Sequence, residues 1–323
     1  MEILAGEVVR NETNTKAMGG TELIALKLAS VANPEYLKHF QIVNSRVRNV
    51  AQDKLRILVL HDLAEDPESN FLGNGGFNQF EKLVFVSNWQ MQSYINRYNI
   101  PWYKCVVIEN AIDPIQSVEK PTDKIKLIYH TTPHRGLELL VPVFEKLAQK
   151  HDNVELDVYS SFKIYGWEGR DEPYKELFER CKAHPKINYY GTVSNEEVKK
   201  AVGEAHIFAY PSIWLETSCI SLMEAMSAGC ICIHPNYGAL YETAGGMTMM
   251  YQWNQDKRDH AQLFYTYLDY AVTNYGHESI QLSLSAQRAY ANSRYNWATR
   301  VHEWNNLLEN ILVMKGRLKS TMT

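Results

Sequence analysis

Short apolar segments alternate with amphipathic helical segments along most of the chain, and this alternation constrains the fold more than any other feature of the sequence. It is typical of a parallel α/β sheet, because a helix must carry the chain back between two parallel strands. From residue 262 onward the pattern is helical alone. The predicted strands are FQIVNSR, RILVLHD, KLVFVSN, CVVIEN, KLIYHT, VELDVYS, INYYGTV, HIFAYPS and CICIHP.

A polar stretch with two prolines, AIDPIQSVEKPTDK, separates two runs of this alternation. A chain of 323 residues is also longer than one ordinary domain. We therefore expect two α/β domains, over residues 1–118 and 119–285, and a helical segment over residues 286–323. The first domain is the shorter of the two.

Composition excludes several classes of protein. A net charge of −4 gives no electrostatic footprint for a nucleic-acid partner, for which a clustered basic surface would be expected. No apolar run reaches the roughly 18 residues of a membrane span, and the acidic N-terminus does not resemble a signal peptide. Five cysteines without a C-x-x-C pair predict reduced thiols in a cytoplasmic protein. The cationic C-terminal segment MKGRLKS either brings the chain to an anionic membrane surface or is simply solvated.

Two acids, Glu216 and Glu224, interrupt an otherwise apolar segment over residues 211–235. The preceding strand ends near residue 211, and either Thr217 or Ser218 suits the N-cap of the next helix. Glu216 then lies just outside the carboxyl end of a parallel strand, where open α/β sheets bind ligands.

The amides of Cys219, Ile220 and Ser221 would lie between the two acids, at the positive end of the helix. A sugar, a diphosphate and a ribose could contact Glu216, these amides and Glu224 in that order. The alternative is that one acid is favoured by the helix dipole and the other is merely solvated. Spacing alone leaves both interpretations open.

Several segments in the same order resemble the retaining glycosyltransferases of the GT-B fold, family 4, whose signature is E-x7-E. The resemblance covers most of the chain. Its segments are AMGGTELIALKLA, LVFVSNWQMQSYI, VVIENAID, HRGLELLVPVFEKL, INYYGTVSNEEVKKAVGEAHIFAYPS, PSIWLETSCISLMEAMSAGCICI, YGALYE and YNWATRVHEWNNLLENI.

The resemblance implies two Rossmann-like domains that face a cleft, with a C-terminal helix packing back toward the first domain. Residues 1–118 would bind the acceptor and residues 119–285 the nucleotide-sugar. The implied reaction transfers a hexose from a UDP- or GDP-sugar to a hydroxyl of a glycan, a glycolipid or a small molecule, with retention of configuration. No cofactor is expected. The chain contains no Asp-x-Asp, which favours transfer without a metal.

The resemblance also implies roles for particular residues. Glu216 would accept hydrogen bonds from the hydroxyls of the transferred sugar, and Glu224 would bind the ribose. Arg135 stands where the family has a phosphate-binding lysine, and would offset the charge that builds on the leaving diphosphate. Ser218 and the amides of residues 219–221 would complete the donor site.

Further residues carry more than one interpretation. Gly19 and Gly20 would let the backbone approach the donor phosphates. His61 would face the sugar, or is a core histidine at a strand end. Gly191 and Val193 would line the nucleobase pocket, or form a plain turn.

The sequence also departs from the family. The family usually has an arginine about five residues before the phosphate-binding lysine, and YHTTPH offers none. His134 and Lys163 are candidates to assist Arg135, although neither matches a motif. Two alternatives to the transferase therefore stay open, namely a catalytically weak nucleotide-sugar-binding module and an enzyme similar to glucan synthases or phosphorylases.

Overall fold

The computed structural model describes residues 2–4, 7–9, 19–116 and 118–319. The described residues divide into two units. The first unit contains the described residues up to Ala111 together with those from Tyr295 onward, and the second contains Ile112–Arg294. Part of the N-terminal glycine segment AMGG and the last residues of the predicted C-terminal helix, 320–323, lie outside the described residues.

Strands and helices alternate in the order that the sequence predicts. The strands are β1 (Glu2–Leu4), β2 (Glu7–Val9), β3 (Phe40–Asn44), β4 (Leu55–Leu60), β5 (Lys82–Phe85), β6 (Cys105–Val107), β7 (Ile125–Tyr129), β8 (Val154–Val158), β9 (Ile187–Tyr189), β10 (Ile207–Ala209), β11 (Ile231–Pro235) and β12 (Met249–Tyr251). The helices are α1 (Gly20–Val31), α2 (Pro34–Leu37), α3 (Asn88–Tyr98), α4 (Leu137–Lys150), α5 (Lys175–Ala183), α6 (Asn195–Glu204), α7 (Ile220–Ser227), α8 (Leu240–Ala244), α9 (Lys257–Asn274), α10 (Glu278–Arg294) and α11 (Trp297–Met314).

The sheet of the first unit has the strand order β2-β1-β3-β4-β5-β6. Strands β3 to β6 are parallel, whereas β1 pairs antiparallel with both β2 and β3. Side chains alternate across the sheet: Ile57 and Val59 of β4 lie in one apolar cluster, and Leu58 and Leu60 lie in another. Helices therefore cover both faces, as burial on both sides of a parallel sheet requires.

The C-terminal helix α11 completes the core of the first unit. Trp304, Leu308, Ile311 and Leu312 are buried in the same cluster as residues of α1, β3 and β4. These positions recur at helical spacing, so a single apolar stripe of α11 faces the sheet.

The sheet of the second unit is parallel throughout, with the strand order β12-β11-β10-β7-β8-β9. Counted from β7 along the chain, this is the 3-2-1-4-5-6 order of a doubly wound nucleotide-binding sheet. Strands β7 and β10 are neighbours at the centre, and the order reverses between them. That reversal determines where the candidate site lies.

Strands β1, β2 and β12 are not among the predicted strands. Each has three residues, and none lies within a longer apolar segment that would indicate a strand. Strand β1 pairs with β2 and β3, and β12 pairs with β11.

Candidate functional site

The loops that follow β7 and β10 lie side by side at the carboxyl edge of the second sheet. In doubly wound sheets this reversal point opens a crevice that receives ligands. A 3-10 helix, Pro133–Arg135, lies in the first loop, and Glu216 lies in the second. The two loops are joined directly, because the amide of Ile213 donates to the carbonyl of Arg135 at 3.2 Å.

Arg135 and Glu216 form an ion pair at this point. Nη1 of Arg135 donates to Oε1 of Glu216, and the hydroxyl of Tyr210 donates to the same oxygen. The side chain of Glu216 is 4% exposed and that of Arg135 is 24% exposed. Burial opposes the charged form of Arg135, yet the carboxylate of Glu216 keeps the pKa of the guanidinium above its ordinary value. The site therefore presents a fixed, partly exposed cation.

Two glycines let the backbone around this pair pack closely. Gly238 forms an isolated parallel bridge with Glu216, and the amide of Ala239 donates to the carbonyl of Glu216 at 2.7 Å. Gly238 has a φ of +63°, and a Cβ there would lie 2.5 Å from the Glu216 carbonyl oxygen. Gly136 has a φ of +130°, and a Cβ there would lie 2.3 Å from the carbonyl oxygen of Pro211. Both positions require glycine.

The helix after Glu216 begins later than the sequence predicts. The prediction of an N-cap at Thr217 or Ser218 is wrong: α7 starts at Ile220, and its N-cap is Cys219. The backbone bridge at Glu216 delays the start of the helix. The free amides of the first turn therefore begin with Ile220 and Ser221, while Cys219 is the buried cap.

Glu224 lies on α7 and is partly buried. Burial raises the pKa of its carboxyl to about 7, Lys199 opposes this increase, and Asp113 adds to it. Near neutral pH the group is therefore divided between its charged and neutral forms. Its affinity for a hydroxyl donor depends on pH in that range.

Unpartnered polar groups gather at the same edge of the sheet. Within the described ranges, six buried side-chain atoms that follow β7, β8 and β9 have no hydrogen-bond partner: Nε2 of His130, Nδ1 of His134 and the hydroxyl oxygens of Thr131, Thr132, Ser160 and Thr192. Buried polar groups are usually paired, because an unpaired one costs about 1–3 kcal/mol. A polar ligand would satisfy them. Their only signal in the sequence is their position directly after a buried strand.

Neither His134 nor Lys163, the two residues suggested to assist Arg135, provides an equivalent second cation for the phosphates. The imidazole of His134 stacks on Phe162 at 5.1 Å and meets the edge of Trp214 at 4.7 Å. Burial, together with the charge of Arg135, lowers the pKa of His134 to about 4, so the ring is neutral at neutral pH. Lys163 pairs with Glu168 at 3.3 Å.

Gly191 and Val193 follow β9, at the same carboxyl edge. Gly191 has a φ of +65°, a conformation that a side chain would strain. Both residues are partly exposed and flank Thr192, whose hydroxyl is one of the unpartnered groups. A turn and a ligand contact are compatible at this position.

The remaining predicted residues belong to the first unit. His61 follows β4, and its amide donates to Oγ of Ser45 at 3.0 Å. Burial lowers the pKa of its imidazole to about 4, and the residue lines a small cavity together with Arg300. Gly19 is the buried N-cap of α1, and Gly20 is the first residue of that helix.

Comparison with known proteins points to the same region of the chain. Residues 111–245 match the family Glycosyl transferases group 1. The matched segment contains the loops after β7 and β10, hence the ion pair and Glu224.

The fold is shared with solved glycosyltransferase structures. A glycosyltransferase from Rickettsia africae ESF-5 superposes with a TM-score of 0.66 at 19% identity, over 95% of this chain and 84% of that one. The pneumococcal O-GlcNAc transferase GtfA, in complex with UDP and GlcNAc, gives a TM-score of 0.64 at 15% identity, over 81% of this chain and 53% of that one. The predicted α/β fold of GT-B type is confirmed.

A curated relative is the phosphatidylinositol N-acetylglucosaminyltransferase GPI3 subunit of Saccharomyces cerevisiae (strain YJM789). It is 21% identical over 174 residues, which are 50% of this chain. The chain spans 37% of the length of that relative. The chain therefore has the fold of GT-B glycosyltransferases, and residues 111–245 match a glycosyltransferase family.

Among the described residues, none of the helices combines the length and the apolar composition needed to cross a lipid bilayer. Nor do the described residues contain a group of three or more His, Cys, Asp or Glu side chains placed to hold a metal ion.

Proposed function

We propose that the chain is a retaining hexosyltransferase that moves a hexose from a UDP- or GDP-sugar to a hydroxyl acceptor without a metal. The observation that carries the proposal is the ion pair of Arg135 and Glu216 at the reversal point of a nucleotide-binding sheet. A carboxylate and a cation held together there match the two ends of a sugar phosphate, one rich in hydroxyl donors and one anionic.

The roles follow from the charges and their places. Glu216 accepts hydrogen bonds from sugar hydroxyls, and Arg135 contacts the diphosphate. The first-turn amides of Ile220 and Ser221 contribute the positive end of α7 to the same phosphates. Glu224, farther along α7, accepts the hydroxyls of the ribose.

The nucleobase is the next part of the ligand to place. We assign it to the carboxyl ends of β8 and β9, where Ser160 and Thr192 have unpartnered hydroxyls beside Gly191 and Val193. A pyrimidine offers carbonyl and N–H groups that hydroxyls can bind. UDP is the first nucleotide to test, because GtfA was solved with UDP and GlcNAc.

Retention is assigned to attack on the same face as the leaving group. In this mechanism the bond between the sugar and the phosphate oxygen breaks, the acceptor oxygen bonds to the anomeric carbon, and the departing phosphate oxygen takes the acceptor proton. Negative charge grows on the diphosphate as the bond breaks, so Arg135 stabilises the transition state more than the bound donor. His61, with a pKa of about 4, is neutral and acts as a hydrogen-bonding group toward the sugar.

We assign acceptor binding to the first unit and a cytoplasmic location to the chain. The five cysteines are free thiols, which suits a reducing compartment. Glycans, glycolipids and small hydroxyl compounds all provide the nucleophile that the reaction requires.

The decisive experiment measures donor turnover with and without acceptor for the wild type, Arg135→Ala and Arg135→Lys. Loss of one preorganised electrostatic contact lowers the rate by about 100- to 1,000-fold, so Arg135→Ala should fall by that factor. Arg135→Lys should be milder because it keeps the charge. Arg258→Ala is the matched control, because Arg258 lies at the surface with its side chain 94% exposed.

Nucleotide affinity, measured in parallel by calorimetry, separates the alternatives. A wild type that binds UDP or GDP but turns over no donor would be a nucleotide-sugar-binding module. Turnover that is equal in wild type and Arg135→Ala would remove Arg135 from the mechanism.

A further inference from the structure

The amino ends of the parallel strands of the first unit form a cationic edge. Strands β3 to β6 run in one direction, so the residues that precede them lie together at one edge of the sheet, and His61 lies at the opposite edge. We define the amino-edge patch as these residues and the segment after α11. Its cations are Lys38, Lys54, Lys82, Lys104, Lys315, Arg317 and Lys319.

Hydrogen bonds connect the loops that carry these cations. Nζ of Lys54 donates to the carbonyl of Lys38 at 2.5 Å, which joins the starts of β3 and β4. Nζ of Lys82 donates to the carbonyl of Tyr103 at 2.5 Å, which joins the starts of β5 and β6. The starts of the four strands are therefore linked in pairs at this edge, and backbone carbonyls hold the ammonium groups of Lys54 and Lys82.

The C-terminal segment lies on the same edge. Lys315 pairs with Glu81, next to the start of β5, at 2.9 Å. Leu318 packs against the core cluster that contains Phe40 and Leu55, the first residues of β3 and β4. The cations of residues 315–319 thus extend a charged surface that begins in the sheet.

Acidic residues offset only part of this charge. The acids on and beside the patch are Glu35, Asp53, Glu81 and Glu309, four against seven cations among the described residues. Burial and nearby cations lower the pKa of His39, so its imidazole carries less charge than an ordinary histidine. The patch is cationic on a chain whose net charge is −4.

Large apolar side chains project from the same edge. Trp102 is 62% exposed and Tyr103 is 69% exposed, in the 3-10 helix that precedes β6, and Met314 is 68% exposed at the end of α11. Each flanks a lysine of the patch, Lys104 or Lys315. Tryptophan and tyrosine beside lysines are typical of the membrane–water interface, where the rings enter the headgroup region and the ammonium groups contact lipid phosphates.

We infer that the amino-edge patch binds the surface of an anionic lipid membrane. The charge is complementary to anionic headgroups, and the exposed rings supply the apolar contact that charge alone lacks. The inference does not depend on the sugar-nucleotide chemistry of the second unit.

The experiment is co-sedimentation of the full chain with vesicles of phosphatidylcholine alone and of phosphatidylcholine mixed with phosphatidylglycerol. We expect binding to the mixed vesicles and none to the neutral ones. Each cation near an anionic surface changes the partition coefficient by about fivefold, so Arg317→Gln/Lys319→Gln should weaken binding by roughly 25-fold. Trp102→Ser/Tyr103→Ser should also weaken it, while the charge is unchanged.

A matched control in the second unit carries Arg258→Gln and Tyr270→Ser, which remove an exposed cation and a 54% exposed ring. It should bind as the wild type does. Thermal unfolding of each variant establishes that it is folded.

Three outcomes would overturn the inference. One is no binding of the wild type to the mixed vesicles. Another is equal loss of binding in the control variant. The third is that the wild type binds a soluble polyanion as tightly as it binds vesicles and that Trp102→Ser/Tyr103→Ser has no effect. That result would identify a polyelectrolyte or an acidic protein as the partner of the patch.

Discussion

Arg135 and Tyr210 both donate to a single oxygen of Glu216, so one buried carboxylate neutralises the cation assigned to the donor phosphates. A bound donor would change this arrangement. The sugar hydroxyls would take over Glu216, and the diphosphate would take over Arg135. The pair therefore holds both groups in place before the donor arrives.

Glu216→Gln tests whether Glu216 binds the sugar while Arg135 binds the diphosphate. We do not expect affinity for the bare nucleoside diphosphate to fall, because Glu216 is assigned to the sugar and its loss leaves Arg135 without a competing carboxylate. Transfer should fall by about one to two orders of magnitude, the kinetic equivalent of a lost hydrogen bond to a charged group. Calorimetry with UDP and a turnover assay measure the two quantities, and Glu176→Gln is an exposed control. A parallel loss of UDP affinity would place Glu216 on the nucleotide instead.

Gly238→Ala tests whether the bridge to Gly238 positions Glu216. Gly246→Ala is its matched control, since Gly246 has a similar φ of +75° but no atom within 4 Å of an added Cβ. In both variants, alanine in the left-handed backbone conformation is strained by about 1–2 kcal/mol. Gly238→Ala should lose a further 1–3 kcal/mol or so of unfolding free energy through the collision with Glu216, and transfer should fall with it. Urea unfolding and turnover measure the difference, and equal behaviour of the two variants would refute it.

Regular elements of sufficient length could be predicted from the sequence. Strand β4 and helix α4 have long apolar patterns that local reasoning recognises, and both occur as predicted. Strand β12 has three residues and depends on pairing with β11, which no local pattern encodes. The start of α7 was misplaced for a related reason, because the bridge between Glu216 and Gly238 joins residues on different loops.

The residues of the candidate site divide in the same way, into those that the sequence indicates and those that only three-dimensional contacts show. Glu216 and Glu224 are visible as acids in an apolar segment, and Arg135 through a resemblance. Tyr210 and Ser160 were missed, because a tyrosine or serine after a strand is ordinary until its burial and its partners are known. Three-dimensional packing alone shows that one hydroxyl bonds Glu216 and that the other has no partner among the described residues.

Ser160→Ala tests the unpartnered hydroxyls. Ser160 is 2% exposed, and its Oγ has no partner within the described ranges, so the free protein should lose no stability and could gain about 1 kcal/mol. Ser227→Ala is the contrast: its buried Oγ accepts from the amide of Ile115 at 2.9 Å, and its loss should cost about 1–3 kcal/mol. Saturating UDP should then stabilise Ser160→Ala less than the wild type in urea unfolding. An equal gain would exclude Ser160 from the nucleotide site.

The raised pKa of Glu224 makes unfolding free energy depend on pH. Its folded pKa of about 7 exceeds the ordinary value of 4.5, so its contribution is complete below pH 4.5 and is lost as pH rises through 7. By linkage, about 1.3 kcal/mol should disappear between roughly pH 6 and pH 8 in the free protein. Glu224→Gln should lack this component. Urea unfolding of both proteins across the range measures it, and parallel curves would contradict the raised pKa.

The same titration should control nucleotide binding, with the opposite sign. The ionised carboxylate of Glu224 accepts ribose hydroxyls better than the neutral acid, and with a pKa of about 7 its ionised fraction rises with pH. From about pH 6 to pH 8 that fraction grows by about tenfold, so UDP affinity should increase by up to that factor. Glu224→Gln should bind more weakly at the upper end, by about 1.5–3 kcal/mol, because a hydrogen bond to a charged group is lost. The phosphates of UDP ionise in the same range, but they do so equally with both proteins, so the difference between wild type and Glu224→Gln isolates the carboxyl group. Calorimetry at several pH values gives this difference. If it is constant across the range, Glu224 does not bind the ribose.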